Sequence, residues 1–364
     1  MKEDVLALWN LKKARKGASK ETLNHAPLIR LASGLDPLKS SREAYLRAYE
    51  ALGIDIINRV PEENAPPPLE PGQVVEMGEG HKRSYLGLYD TVFRERYPFK
   101  DVDEFFSAGR VEPDYRRLLT PVPHKLDLPT IKRKEGLVGD RGIYYYMLYT
   151  TLFMWGVEFL GWDVFMMAVA LDPERFKEGF LDRVFDESLR LIEELCTTDC
   201  PFVFCHDDLA DARGPVFQPS WYERYIFPRY PELWKPVKDA GKKVIFVADG
   251  NMEVFLPVLR ETGVDGVMLE NPATPIERII EFFGDRIIIG GVETGLLTFG
   301  SPREIRKHVL DVHEKTRGIA GFALSTPGGI HGNIPLENLE AYFDARVETG
   351  HTYEGWRAGG TLTD

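Results

Sequence analysis

From Leu171 onward the chain repeats one pattern: an amphipathic helical stretch, then a short apolar run, then a polar turn. "DPERFKEGFLDRVFDESLRLIEELC" has apolar residues three and four positions apart and predicts a long helix. "PFVFCHDD" after it predicts a strand. The pairing recurs with "SWYERYIFPRYPELWKPVKDAG", a helix interrupted at Pro228, and the strand "KKVIFVADGN". "MEVFLPVLRETG" then leads to "VDGVMLEN", "PIERIIEFFG" to "DRIIIGGVE", and "SPREIRKHVLDVHEKTRG" to "IAGFALSTPGG". The helix "PLENLEAYFDARVETG" closes the series. Strands that are apolar throughout, alternating with amphipathic helices, require a parallel sheet covered by helices. Five such units, with at least two candidate strands before them, favour an α/β fold of the (β/α)8 TIM-barrel kind. A doubly wound open sheet is the alternative, but no G-x-G-x-x-G opens any of these helices.

The N-terminal part reads differently. "SREAYLRAYEALGIDIINRV" predicts a helix ended by Gly53 and a short strand at Asp55 to Ile57. The proline-rich "PEENAPPPLEPGQ" divides an N-terminal helical extension, residues 1–70, from a barrel domain, residues 71–364. "VVEMGEGHKRSYLGLYDTVF" predicts one strand with irregular structure, and "YPFKDVDEFFSAG" a short capped helix. The most apolar run, "YYYMLYTTLFMWGVEFLGW", is broken by Gly156 and Glu158 and reads as an interior helix rather than a membrane span.

Composition narrows the function classes. The formal charge of −12 and the lack of a long basic run argue against nucleic acid as a partner. Nothing near Met1 has the apolar core of a signal peptide. Three cysteines, Cys196, Cys200 and Cys205, make an odd count that fits a reducing cytoplasm and structural burial better than a disulfide or metal cluster. Cys205 and His206, adjacent on a strand, point to opposite sides.

In a β/α barrel, chemistry sits at the C-terminal ends of the strands. Those ends offer His206, Asp207 and Asp208; Asp249 and Asn251; Glu270 and Asn271; Glu293; and Ser325 and Thr326. Crowded carboxylates raise one another's proton affinity, which suits a general acid. His206, Asp249 and Glu270 are also acceptable zinc ligands, and the spacing does not choose between the two uses. Tyr144 stands in an aromatic run that is core or the wall of a flat substrate site. His331, in "GGIHGN", and His81 are pocket or surface residues.

These segments resemble the uroporphyrinogen decarboxylase superfamily, which also holds corrinoid-dependent methyltransferases. The resemblance runs from about Tyr97 to Gly350. It rests on "YPFKDVDEF", "DDLADARGPVFQPSWYERYIFPRY", "VIFVADGN", "GVDGVMLEN", "RIIIGGVE" and "STPGGIHGNIPLENLEAYFDA". It implies a single β/α barrel. Decarboxylases of the family grip substrate carboxylates with an "RQAGRYLPEY"-like stretch near the N-terminus. The nearest echo here, "FSAGRVEPDYR", is displaced and keeps only Arg110 at that place. Relatives that methylate thiols hold zinc on a His-x-Cys pair and a later cysteine, positions that fall on Val247, Asp249 and Gly328. The thiolates are therefore absent. The remaining expectation is a corrinoid-dependent methyltransferase acting on a small O-methyl donor such as an aryl methyl ether, with cobalamin carried by a corrinoid-binding partner protein. Asp249, His206 and Glu270 would be the acids, oriented by Asp207 and Asp208. Asn251, Asn271, Glu293, Tyr144, Thr326 and His331 would bind substrate. A decarboxylase using Arg110 or Arg213 is the alternative, and a homodimer is implied by resemblance only.

Overall fold

The computed structural model describes residues 2–12, 16–63, 73–78, 81–85, 90–94, 96–112 and 126–358. Its central sheet is parallel throughout. In chain order the strands are β1 (Ser19–Lys20), β2 (Ile56–Ile57), β3 (the paired runs Ile143–Tyr144 and Met147–Leu148), β4 (Phe202–His206), β5 (Lys243–Ala248), β6 (Gly266–Leu269), β7 (Ile287–Gly291) and β8 (Phe322–Ser325). Each pairs with the next, and β8 pairs with β1 through Ser19 opposite Leu324 and Lys20 opposite Ser325. The first run of β3 pairs with β2 and its second with β4, so one segment joins both ends of the sheet. Eight parallel strands thus close into a barrel, as the helix–strand alternation predicts.

Strand alternation gives the barrel two apolar layers. Tyr145, Phe204, Val247, Met268, Ile289 and Ala323 belong to the inner cluster. Val203, Phe246, Val267, Ile288 and Leu324 belong to the outer one, under the helices. The first helix, Lys2–Trp9, adds Val5 and Leu8 to the inner cluster and closes the N-terminal end. Cys205 falls in the outer cluster while its neighbour His206 turns inward, as alternation requires. All three cysteines are free thiols.

Three sequence expectations change. The run from Tyr144 to Trp162 is not one interior helix: it begins as β3 and becomes helical only at Phe153–Trp155. Its tyrosines suit a strand paired on both sides, and barrel closure overrides its helix-like length. "VVEMGEGHKRSYLGLYDTVF" supplies three antiparallel strands, Val74–Gly78, His81–Tyr85 and Asp90–Arg94, where one was expected. Residues 1–70 carry the helices Lys2–Trp9, Ala26–Ser33 and Ser41–Leu52, but also β1 and β2, so the barrel draws on the segment expected to be an extension. Most of the proline-rich loop (64–72) and the end of "FSAGRVEPDYR" (113–116) lie outside the described residues. Among the described residues, no helix is long and apolar enough to cross a membrane.

Candidate functional site

The ends of β4 and β5 bring three predicted residues together. One ligand atom each from His206, Asp208 and Asp249 lies within 4.8 Å of the others. His206 is buried and held from both sides. Its Nδ1 lies 2.7 Å from the Tyr149 carbonyl and its Nε2 3.0 Å from Asp208 Oδ1, with the Tyr149 ring stacked on it at 4.7 Å. A carbonyl only accepts, so Nδ1 carries a proton. Nε2 carries a second wherever Asp208 is ionised, and the ring is then an imidazolium. Burial alone would lower its proton affinity, but the hydrogen bond and charge of Asp208, with help from Asp249, push the pKa up to about 9.

Asp208 Oδ1 also accepts the Asp249 backbone N–H at 2.7 Å, which ties the two strand ends together. After Asp249 the chain turns at Gly250, where φ is +79° and a Cβ would come within 2.4 Å of the Ala210 carbonyl. Only glycine fits this close approach. The Asp249 carboxylate is left at the open mouth, solvent-reached but walled by the barrel rim. That enclosure, followed by the Asp208 and Glu270 charges, raises its pKa to about 6 against the pull of His206 and Lys20. Glu270, on the next strand end, accepts the Gly250 N–H at 3.2 Å.

The other predicted residues have structural partners. Asp207 is fully buried and turned away from the cluster. It accepts the amides of Leu152, Phe153 and Met154 at 2.7–3.0 Å and the Tyr230 hydroxyl at 2.7 Å. Asn251 accepts the Glu253 N–H, and Asn271 bridges Gly291 N–H and the Thr274 carbonyl. The Thr326 hydroxyl donates to Glu21 at 2.6 Å. Glu293 stands at the N-cap position of the helix Thr294–Phe299 without a side-chain capping bond, and its backbone N–H reaches His308. Tyr144 is buried beside Lys134. His331 lies in a short parallel pair with Leu23–Asn24 and accepts the Asn333 N–H. Arg213 is exposed and paired with Asp211, and Arg110 is exposed beside Glu112.

Sequence reasoning missed β1. Ser19, Lys20 and Glu21 contain no apolar run, so nothing marked them as a strand. Lys20 is nonetheless buried in the barrel and close enough to Asp249 for each to shift the other's proton affinity. Glu21 points the other way, taken by Thr326, Tyr342 and Arg346. The donor set of His206, Asp208 and Asp249 suits a divalent cation such as zinc, with Asp208 rather than the expected Glu270 as the third residue among those described: the Tyr149 carbonyl fixes Nδ1 and leaves Nε2 facing two carboxylates. None of the three cysteines joins the cluster, so a thiolate zinc site does not fit it.

The model of the family described as Uroporphyrinogen decarboxylase (URO-D) matches residues 154–349, more than half of the chain. Two curated uroporphyrinogen decarboxylases of Prochlorococcus marinus are similar. That of strain MIT 9211 is 31% identical over 137 residues, and that of strain NATL1A 29% over 140. Each alignment covers 37% of this chain and only 38% of the relative. Among solved structures, a methyltransferase from Methanosarcina mazei has the same fold. It superposes with a TM-score of 0.66 over 95% of this chain and 98% of its own, at 17% identity.

Proposed function

The chain belongs to the uroporphyrinogen decarboxylase family, and on that footing we propose that it is a corrinoid-dependent methyltransferase that demethylates a small O-methyl donor, an aryl methyl ether. The observation that carries the proposal is the charge balance of the barrel mouth. His206, Asp208, Asp249 and Glu270 converge there, and apart from His206 the cation that offsets the charge of Asp249 is Lys20. A porphyrinogen, with its many carboxylates, would be repelled by such a mouth. The two arginines considered for gripping it, Arg110 and Arg213, are exposed and paired with acids of their own.

An ether oxygen is a poor leaving group unless it is protonated or bound to a Lewis acid. Asp249, raised to about 6, presents a proton at the open mouth, and the imidazolium of His206 stands behind it as a second source. Asp208 fixes the ring nitrogen and the Asp249 backbone, and Glu270 favours the protonated form of Asp249. If a divalent cation is held instead, His206, Asp208 and Asp249 are its ligands and it supplies Lewis acidity at the same oxygen. The corrinoid, when carried up by its partner protein, supplies the nucleophile that receives the methyl group. A docked partner would meet exposed apolar side chains on segments that leave the C-terminal strand ends: Trp162 and Met166 after β3, Val254 after β5, and Phe299 after β7.

The test is to incubate the protein with cob(I)alamin and methoxybenzenes, following loss of the Co(I) absorbance and release of the phenol. Carbon dioxide release from uroporphyrinogen, with no phenol from any ether, would replace this reading with decarboxylation.

A further inference from the structure

We propose that a cavity at the N-terminal end of the barrel, opposite the candidate reaction centre, is a binding site for a phenol, held as the neutral molecule by the ring of His351. This site is independent of the reaction proposed above, which would itself release molecules of this class.

The cavity holds about 560 Å³ and lies where the helix Lys2–Trp9 closes the barrel. Leu8, Ala18, Ile319 and Phe322 give it apolar walls, and its volume suits one small aromatic molecule. Two histidines, His313 and His351, line it as well, their rings edge to face at 5.9 Å.

His351 is 6% exposed, and its hydrogen bonding fixes where its proton sits. Its Nδ1 lies 3.1 Å from Thr349 Oγ1, and that hydroxyl donates its own proton to the Arg346 carbonyl at 3.2 Å. Oγ1 therefore accepts, and Nδ1 is the nitrogen that carries hydrogen. Burial, with Arg346, Lys16 and His313 nearby, draws the pKa down to about 3, so the ring is neutral and Nε2 is a bare acceptor. No donor of the chain reaches Nε2 among the described residues. Gly17 beside it has no side chain to cover it: a Cβ there would come within 2.4 Å of Nε2. A buried acceptor left without a partner is costly, and a donor seated in the cavity would supply one.

His313 supplies the complement. An imidazole carries an N–H in either protonation state, and the His313 ring makes no hydrogen bond among the described residues. An acceptor and a donor side by side match a hydroxyl group, which donates and accepts at once. The surrounding charges select a neutral ligand. An anion would meet the Asp4 carboxylate and the carbonyl ends of the helices Pro302–Thr316 and Leu336–Glu348, which both finish here. Nor is a cation of the chain free to hold an anion: Arg346 pairs with Glu21, Lys16 with Asp55, and Arg317 at the exposed rim with Glu314. A cationic ligand would meet the field of Arg346 and Lys16 that keeps His351 unprotonated. A phenol meets all of these conditions. Its hydroxyl donates more strongly than that of an aliphatic alcohol, and its ring suits edge contacts with Phe322 and the imidazoles.

Calorimetric titration of the full chain tests this with phenol, with fluorobenzene as its donorless analogue, and with benzoate and benzylammonium. Phenol should bind at least about ten-fold tighter than each of the others, the effect of one hydrogen bond made to an unpartnered acceptor. In the two-bond proton–nitrogen spectrum of the histidines, phenol should move the Nε2 resonance of a ring protonated on Nδ1. Asparagine keeps a donor for Thr349 but has no Nε2. His351→Asn should therefore remove that resonance and bring phenol down to the affinity of fluorobenzene. Gly17→Ala, whose methyl would press on the same nitrogen, should do likewise. Asp249→Asn should leave phenol binding unchanged. No binding of phenol, equal affinity for phenol and fluorobenzene, tighter binding of either charged ligand, or an unmoved Nε2 resonance would overturn the site. So would phenol binding that survives His351→Asn or is abolished by Asp249→Asn, because the ligand would then sit elsewhere. The ligand comparison and the histidine spectrum need no variant, so they decide the matter even where a variant fails to fold. The reaction proposed above stands or falls on phenol release from ethers, which none of these titrations measures.

Discussion

Replacing Asp249 by asparagine separates chemistry from folding more cleanly than any other change at the mouth. Among the described residues the Asp249 carboxylate accepts no hydrogen bond; its link to Asp208 runs through its own backbone N–H, which asparagine keeps. The substitution therefore removes a proton and a charge and leaves the scaffold. With the pKa raised from 3.8 to about 6, the carboxyl is about nine-tenths protonated at pH 5 and about one-tenth at pH 7. Loss of a positioned general acid reduces turnover by about 10²–10⁴-fold, or ~3–5 kcal/mol of barrier. The wild-type rate should fall as pH rises through about 6, and Asp249→Asn should be low and flat across that range. The stability contribution of Asp249 should fall with rising pH as the rate does. A pKa raised on folding stabilises the protein below the unfolded value of 3.8, and the contribution is lost as pH rises through about 6. At pH 7 the neutral side chain should leave the thermal midpoint unchanged or slightly higher. The assay is phenol release at saturating ether from pH 5 to 8, with unfolding curves alongside. Wild-type turnover with an unchanged pH profile would refute the role. Inactivity with a clearly lowered midpoint would instead make Asp249 a structural residue.

Other expectations follow from the same network. His206, raised to about 9, should stabilise the fold fully below about pH 6.5, and that contribution should fade as pH rises through about 9. Melting curves at pH 7 and 10 should show the loss, and His206→Gln should abolish the difference. Asp207→Ala leaves three amides and the Tyr230 hydroxyl unpaired and should cost ~3–5 kcal/mol in denaturant unfolding. Arg346→Met strands the buried Glu21 carboxylate at a cost of ~3–5 kcal/mol, most of which Glu21→Gln in the same chain should restore.

The sequence shows most clearly those parts that bury continuous apolar surface. "VIFVA" and "RIIIGG" announce β5 and β7 because a strand covered on both faces has no place for polar residues. Position at a strand end singled out His206, Asp249 and Glu270, with Asp207 and Asp208 as orienting residues, whereas the cluster that forms among the described residues takes Asp208 in place of Glu270. Position could not reveal that Asp207, between His206 and Asp208, faces away, because that depends on which amides the fold brings to it. Thr326 and Asn271 look like pocket residues in one dimension and prove to be tied to Glu21 and to the Thr274 and Gly291 backbone. Lys20 left no trace at all. A strand of two paired residues, Ser and Lys, is specified by its neighbours on β2 and β8 rather than by its own hydrophobicity.

The strand that joins the two ends of the sheet has a further consequence. Its paired runs engage different neighbours, Ile143–Tyr144 with β2 and Met147–Leu148 with β4, so no residue of it is laddered on both sides. Such a seam has fewer shared rungs than any of the longer strands, and amide exchange should reach it before it reaches β5 or β7. The same strip of chain then runs past Tyr149, whose carbonyl holds the His206 ring, to the amides gripped by Asp207. Each opening of the seam would loosen the acceptor that keeps Nδ1 protonated. The imidazole resonances of His206 would thereby report, from inside the reaction centre, whether the barrel is shut.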